Sequence, residues 1–209
     1  MPVATTDLHK ALSEINAIRG QIARGAEFRG YGPATLMATG VLALVAALAQ
    51  ACWLKNPEGN IGAYLSIWVP TAAVSLLIIS LETFVRARRL HVGLAGQMMQ
   101  AAAEQFLPAI VAGLLLTVVL LRSAPQSRWM LPGLWQIVFS LGVFASCRFL
   151  PRPMFVAGIW YLCCGLMYLA LGSGPQALSP WAMGVPFGLG QLLVGAVLRV
   201  DYRSEHERA

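Results

Sequence analysis

Three prolines and two glutamines carry most of the chemistry this sequence has to offer. Pro70, Pro132 and Pro186 each stand in a strongly apolar stretch. A proline inside a helix removes one backbone bond and frees the carbonyl four residues earlier, here those of Ser66, Arg128 and Ala182. Within lipid a freed carbonyl needs a donor from a neighbouring helix, a side chain or water. Such breaks line binding sites in some transporters. Gln136 and Gln191 follow Pro132 and Pro186 by four and five residues, which puts them at similar depth. Ser66, Pro70, Pro132, Gln136, Pro186 and Gln191 are therefore a candidate substrate path, centred on "GVPFGLGQ" at 184–191. The competing reading is a kink with close helix packing through Gly184 and Gly188, a GxxxG spacing.

Other reactive groups are sparse. Glu82 and Glu104 are the acids nearest to apolar segments. Glu82 precedes Arg86 by one helical turn, a pair worth about 0.2–0.5 kcal/mol on a solvated helix. Glu104 suits the positive end of a helix start. Neither lies near a bilayer midplane, so a proton or cation relay has no acid to use. His9, His91 and His206 fall outside the apolar segments, which leaves a buried haem without ligands. Cys52 and Cys147 belong at opposite membrane faces, and the adjacent Cys163 and Cys164 point about 100° apart on a helix. No HExxH, GxSxG, P-loop or CxxC motif occurs. We expect no catalytic residue, no metal site, no cofactor and no enzymatic activity.

The elements that must position these residues are membrane helices. Hydrophobic residues make up 57% of the 209 and charged residues 11%, against about 45–50% and about 25% in soluble domains. A span needs about 20 apolar residues, and six stretches supply them: 32–54, 61–84, 104–121, 128–149, 153–172 and 179–199. A cleavable signal peptide is a poor account of the first, because some thirty residues containing Asp7, Glu14 and Glu27 precede it. With six spans, twelve of the fifteen basic residues fall on the side of the termini and three (Lys55, Arg122, Arg128) on the other. That bias predicts cytoplasmic termini. Trp53, Trp68, Trp129 and Trp181 then mark the outer interface, while Trp135 and Trp160 sit deeper and are expected to pack. The net charge of +6 is read as a topology signal, with no nucleic-acid partner.

The expected fold is all-α: a polytopic membrane protein of six transmembrane helices in three hairpins, plus an N-terminal amphipathic cytoplasmic helix. The even-numbered spans share a Trp-then-Pro order, and Pro70 to Arg86 and Pro132 to Arg148 are both sixteen residues. Three copies of one hairpin would produce that pattern, and so would the ordinary placement of Trp and Pro near an interface. Residues 1–30 form a separate unit, with Leu8, Leu12, Ile15, Ile18 and Ile22 on one helical face. That face would rest in the headgroup layer, pair with its copy, or bind a soluble partner. The 86–105 loop offers a second cytoplasmic helix carrying Met98 and Met99, and the charged tail 200–209 is expected to be unordered. Residues 31–199 form the transmembrane domain.

"EFRGYGPATLMATGVLAL", "FASCRFLPRPMF" and "SPWAMGVPFGLGQLL" resemble segments of an uncharacterised family of bacterial six-helix inner-membrane proteins. The resemblance implies a bacterial inner membrane and no particular activity or ligand. Two function classes remain. One is a non-enzymatic regulatory or scaffold component that works through its N-terminal helix and basic loops, as a homo-oligomer or with a cytoplasmic protein. The other is a small oligomeric transporter or channel lined by the proline-bearing helices 2, 4 and 6.

Overall fold

The computed structural model describes residues 32–90, 93–147, 153–174 and 176–206, and every regular element among them is helical. The elements are α1 (Pro33–Trp53), α2 (Ile61–Leu90), α3 (Gly93–Ser123), a short 3-10 helix (Pro125–Met130), α4 (Leu131–Ser146), α5 (Pro153–Leu171) and α6 (Pro180–His206). Five segments are long and apolar enough to cross a membrane: Pro33–Trp53, Ile61–Glu82, Ala101–Ser123, Pro125–Ser146 and Met154–Leu171. The chain is a helical protein of the multi-pass membrane kind. Leu8, Leu12, Ile15, Ile18 and Ile22 lie outside the described residues.

Three boundaries differ from the sequence expectation, each for a local reason. The helix expected within 86–105 is not separate: α2 runs on to Leu90, and the segment carrying Met98 and Met99 is the start of α3, which begins at Gly93 and continues into the span. At about 1.5 Å per residue both helices exceed a hydrocarbon layer of about 30 Å, so their ends project beyond it. The tail expected to be unordered continues α6 as far as His206. Pro132 stands in the first turn of α4, where no intrahelical bond is lost, and the Arg128 carbonyl accepts the Leu131 N–H. The breaks inside helices are at Pro70, Pro108 and Pro186.

Turn chemistry sets the joints at one end of the bundle. The Asn60 carboxamide accepts the Ala63 N–H at 3.2 Å and caps the start of α2, while Asn56 accepts the Gly59 N–H at 3.0 Å. Gly172, at φ 75°, takes the left-handed conformation that ends α5. Arg128 donates through Nη2 to the Leu121 carbonyl at 3.1 Å, closing the last turn of α3. Trp53, Trp68, Trp129, Trp135 and Trp181 all cluster towards this end, termed here the tryptophan end.

Packing follows the order α2, α1, α6, α5, α4, α3, with the most extensive contact between α1 and α6. The third expected hairpin is thus partly opened, since α6 packs more closely on α1 than on α5. Small residues permit the approach. A Cβ placed on Gly184 would collide with the Ala47 side chain, and one on Gly188 would come within 2.6 Å of Leu44 Cδ2. Gly40 faces the Gly188 carbonyl, and Gly195 faces Met37 and the Pro33 carbonyl, so the register holds along both helices. The α4–α5 crossing uses the same device: a Cβ on Gly165 would lie 2.7 Å from the Gly133 carbonyl. By contrast α2 and α3 scarcely touch each other, and most of their apolar side chains are exposed.

Because the α1–α6 seam has no spare volume, Gly184→Leu should lower unfolding stability by about 1–3 kcal/mol. Gly62→Ala, in the open first turn of α2, should change it by less than about 0.5 kcal/mol. Thermal or denaturant unfolding of the detergent-purified variants checks both.

Candidate functional site

The six residues of the expected path do not converge. Ser66 and Pro70 are exposed on the flank of α2, whereas Pro132, Gln136 and Pro186 are buried between helices and Gln191 is half-buried. Around Pro70 the hydroxyls serve their own helix. Ser66 Oγ donates to the Ala63 carbonyl at 2.8 Å, and Thr71 Oγ1 donates to the Ile67 carbonyl at 2.7 Å. The polar groups that do converge surround the first turns of α6.

Four backbone carbonyls there each accept a side-chain donor from another helix. Pro186 cannot donate to Ala182, and the freed carbonyl accepts Gln136 Nε2 of α4 at 2.7 Å. The Pro186 carbonyl itself accepts Trp160 Nε1 of α5 at 3.0 Å. Just before the helix, the Leu178 carbonyl accepts Gln50 Nε2 of α1 at 2.8 Å. The Trp181 carbonyl accepts the Tyr168 hydroxyl of α5 at 3.3 Å. Leu178 and Gln50 are fully buried, so water cannot replace that bond.

Two of these donors are held by a further side chain or by ring packing. Gln50 Oε1 accepts Trp68 Nε1 of α2 at 2.6 Å, which fixes the amide with its Nε2 towards Leu178. In the neighbouring hairpin Trp135 Nε1 donates to Thr117 Oγ1 at 2.8 Å, and Thr117 donates to the Gly113 carbonyl at 2.7 Å. Both tryptophans reach a polar residue eighteen positions back on the preceding helix. The two hairpins therefore share an internal latch, one that α5 and α6 do not repeat with Trp181. Trp160, expected only to pack, both packs and donates.

Aromatic rings fill the space below this network. Phe139 meets Phe106, Tyr161 and Phe187 edge-on at centroid distances of 5.4, 4.8 and 5.3 Å, and Tyr161 lies 5.0 Å from Phe187. A Cβ on Gly190 would sit 2.7 Å from the Tyr161 hydroxyl, so α6 is pressed against that ring as well. Among the described residues no group of three or more His, Cys, Asp or Glu is placed to hold a metal ion. Cys52, Cys147, Cys163 and Cys164 are all free thiols. What the arrangement does chemically is satisfy backbone and exclude solvent.

Gln50 was not among the sequence candidates, because it lies in the last turn of an apolar helix where a polar side chain would ordinarily face headgroups. Its spacing to Trp68 across a short turn was the available signal. No protein-family model, no curated protein and no solved structure matches the chain.

The coupling between Gln136 and Pro186 is open to a double-mutant cycle. Gln136→Leu should cost about 1–3 kcal/mol, the penalty of leaving the Ala182 carbonyl buried and unpaired. In a Pro186→Ala background residue 186 regains its N–H, and the same substitution should cost clearly less. Equal costs in both backgrounds, measured by unfolding, would show that the bond does not answer the proline.

Proposed function

We propose that this chain is a non-enzymatic integral protein of a bacterial inner membrane, crossing it six times with both termini in the cytoplasm. It acts as a regulatory or scaffold component through its N-terminal helix and basic cytoplasmic loops. The observation that carries this reading is the use made of the interior amides. Gln136 and Gln50 are spent on the Ala182 and Leu178 carbonyls, while Ser66 and Pro70 face outwards, so the polar residues do not line a common passage. A bundle closed in this way is suited to carrying a cytoplasmic surface. Leu8, Leu12, Ile15, Ile18 and Ile22 are the residues assigned to partner contact, either with a second copy or with a cytoplasmic protein. The bilayer is the other partner.

A second reading, a small oligomeric transporter or channel, draws support from one feature. α2 and α3 barely meet, and each carries an internal proline, Pro70 and Pro108. A pathway would then run between copies, along α2 and α3, and not through the centre of one protomer.

Native mass spectrometry of the nanodisc-embedded protein, with and without residues 1–28, separates the two. The scaffold reading expects that removing them dissolves a dimer or releases a bound partner while the melting temperature of the helical domain is unchanged. An assembly that survives the truncation, together with solute flux in proteoliposomes, would favour the transporter.

A further inference from the structure

The junction of α2, α4 and α6 holds two polar atoms that the protein itself does not satisfy. The Tyr64 hydroxyl and Gln136 Oε1 are both fully buried and neither has a hydrogen-bond partner among the described residues. They belong to one neighbourhood. Tyr64 lies in a cluster with Met183 of α6 and stacks on Trp135 of α4, with ring centroids 6.2 Å apart and planes 22° apart. Gln136, the next residue, directs its Nε2 to Ala182, the residue before Met183. All three helices begin at the tryptophan end, and the depths agree. Tyr64, Gln136 and Ala182 lie three, five and two residues beyond Ile61, Leu131 and Pro180, or about 4.5, 7.5 and 3 Å at 1.5 Å per residue.

We propose that this junction is a binding site for a small neutral hydrogen-bonding molecule, and that its resident is an ordered water. The chemistry selects the class. Among the described residues, the cluster around Tyr64 holds no ionisable side chain other than the tyrosine itself, so a charged ligand would have no counter-ion. Gln136 Oε1 has lone pairs and demands a donor, and the Tyr64 hydroxyl can donate as well as accept. Water meets both demands at once and bridges oxygens about 4.5–5.5 Å apart with bonds of ordinary length. The side chains that α1 brings to the Tyr64 cluster are small, Ala46 and Ala47. The bridging molecule joins α2 to the α4–α6 contact. It therefore ties the helix with few neighbours elsewhere into the network around Ala182.

Radiolytic hydroxyl-radical footprinting reads such sites, because radicals formed from a bound water oxidise the side chains that touch it. The full-length protein in nanodiscs, in water enriched in oxygen-18, should show oxidation of Trp135 and Met183. Tyr64→Phe keeps the ring and its stacking but removes one of the two partners, and should lower that oxidation several-fold. Gln136→Leu should do the same if it folds, and Tyr64→Phe alone decides the matter if it does not. Oxidation of Trp135 and Met183 that is equal in wild type and Tyr64→Phe would overturn the proposal. So would wild-type protein in which neither residue is oxidised, the result expected if Tyr64 turned to bond Gln136 directly.

Discussion

A carbonyl freed by a proline inside an apolar bundle has to find a donor, and in this protein the Ala182 carbonyl finds Gln136. Bulk water is excluded from the site, so the donor must come from another helix. That single requirement draws α4 to α6. The carbonyls on either side repeat it: Leu178 takes a donor from α1, and Trp181 and Pro186 take donors from α5. The first turns of α6 are thus pinned by side chains from three helices, α1, α4 and α5. Each bond is modest, about 0.6 kcal/mol on average between membrane helices. Their directionality specifies one seat for α6 where apolar packing alone would tolerate several.

The glycine seam then fixes the rest of that helix. Gly184, Gly188 and Gly195 let α6 lie against α1 almost backbone to backbone, antiparallel, from Ala47 to Pro33. Polar pinning at one end and close packing along the length are complementary, since the first sets rotation and depth and the second supplies contact area. Pro186 is tolerated because it falls where the two overlap. The cost of the break is borne by α4 and α5, and the gain is a helix that bends without exposing an unpaired carbonyl. α2 and α3 receive little of either, and their apolar faces are left for lipid or for other helices.

Much of this architecture was legible in the sequence, and the remainder was hidden for identifiable reasons. Runs of about 20 apolar residues announce membrane helices by length alone, and five of the six expected spans recur as such. The proline rule identified the Ala182 carbonyl as freed, but its donor lies forty-six residues away, and no local pattern encodes that distance. Gln136 was visible as a polar residue at comparable depth, yet pairing it with α6 required the tertiary arrangement. The role of Pro132 turns on where α4 starts, and a span read from residue 128 hides the 3-10 turn that ends at Met130 and leaves the proline in the first turn of the helix. A helix carrying Met98 and Met99 is legible in 86–105, but its continuity with the span of α3 is not, because 93–103 is neither long nor apolar enough to read as part of a span. Gln50 is hidden in the sequence, because beside an interface a glutamine looks solvated until Trp68 and Leu178 close over it.

The proposed six crossings require α6 to cross the bilayer antiparallel to α1, as it packs in the bundle, and would put both ends of the chain on one side. The most direct measurement fuses a compartment-sensitive reporter to the C-terminus of the full chain, and to the N-terminus in a second fusion. A chain truncated after Leu171, in the same cells, provides the reference. Both full-length fusions should report the cytoplasm, and the truncated chain should report the opposite side. A full-length C-terminus on the side opposite to the N-terminus would contradict the six crossings, because α6 could not then lie in its seat against α1.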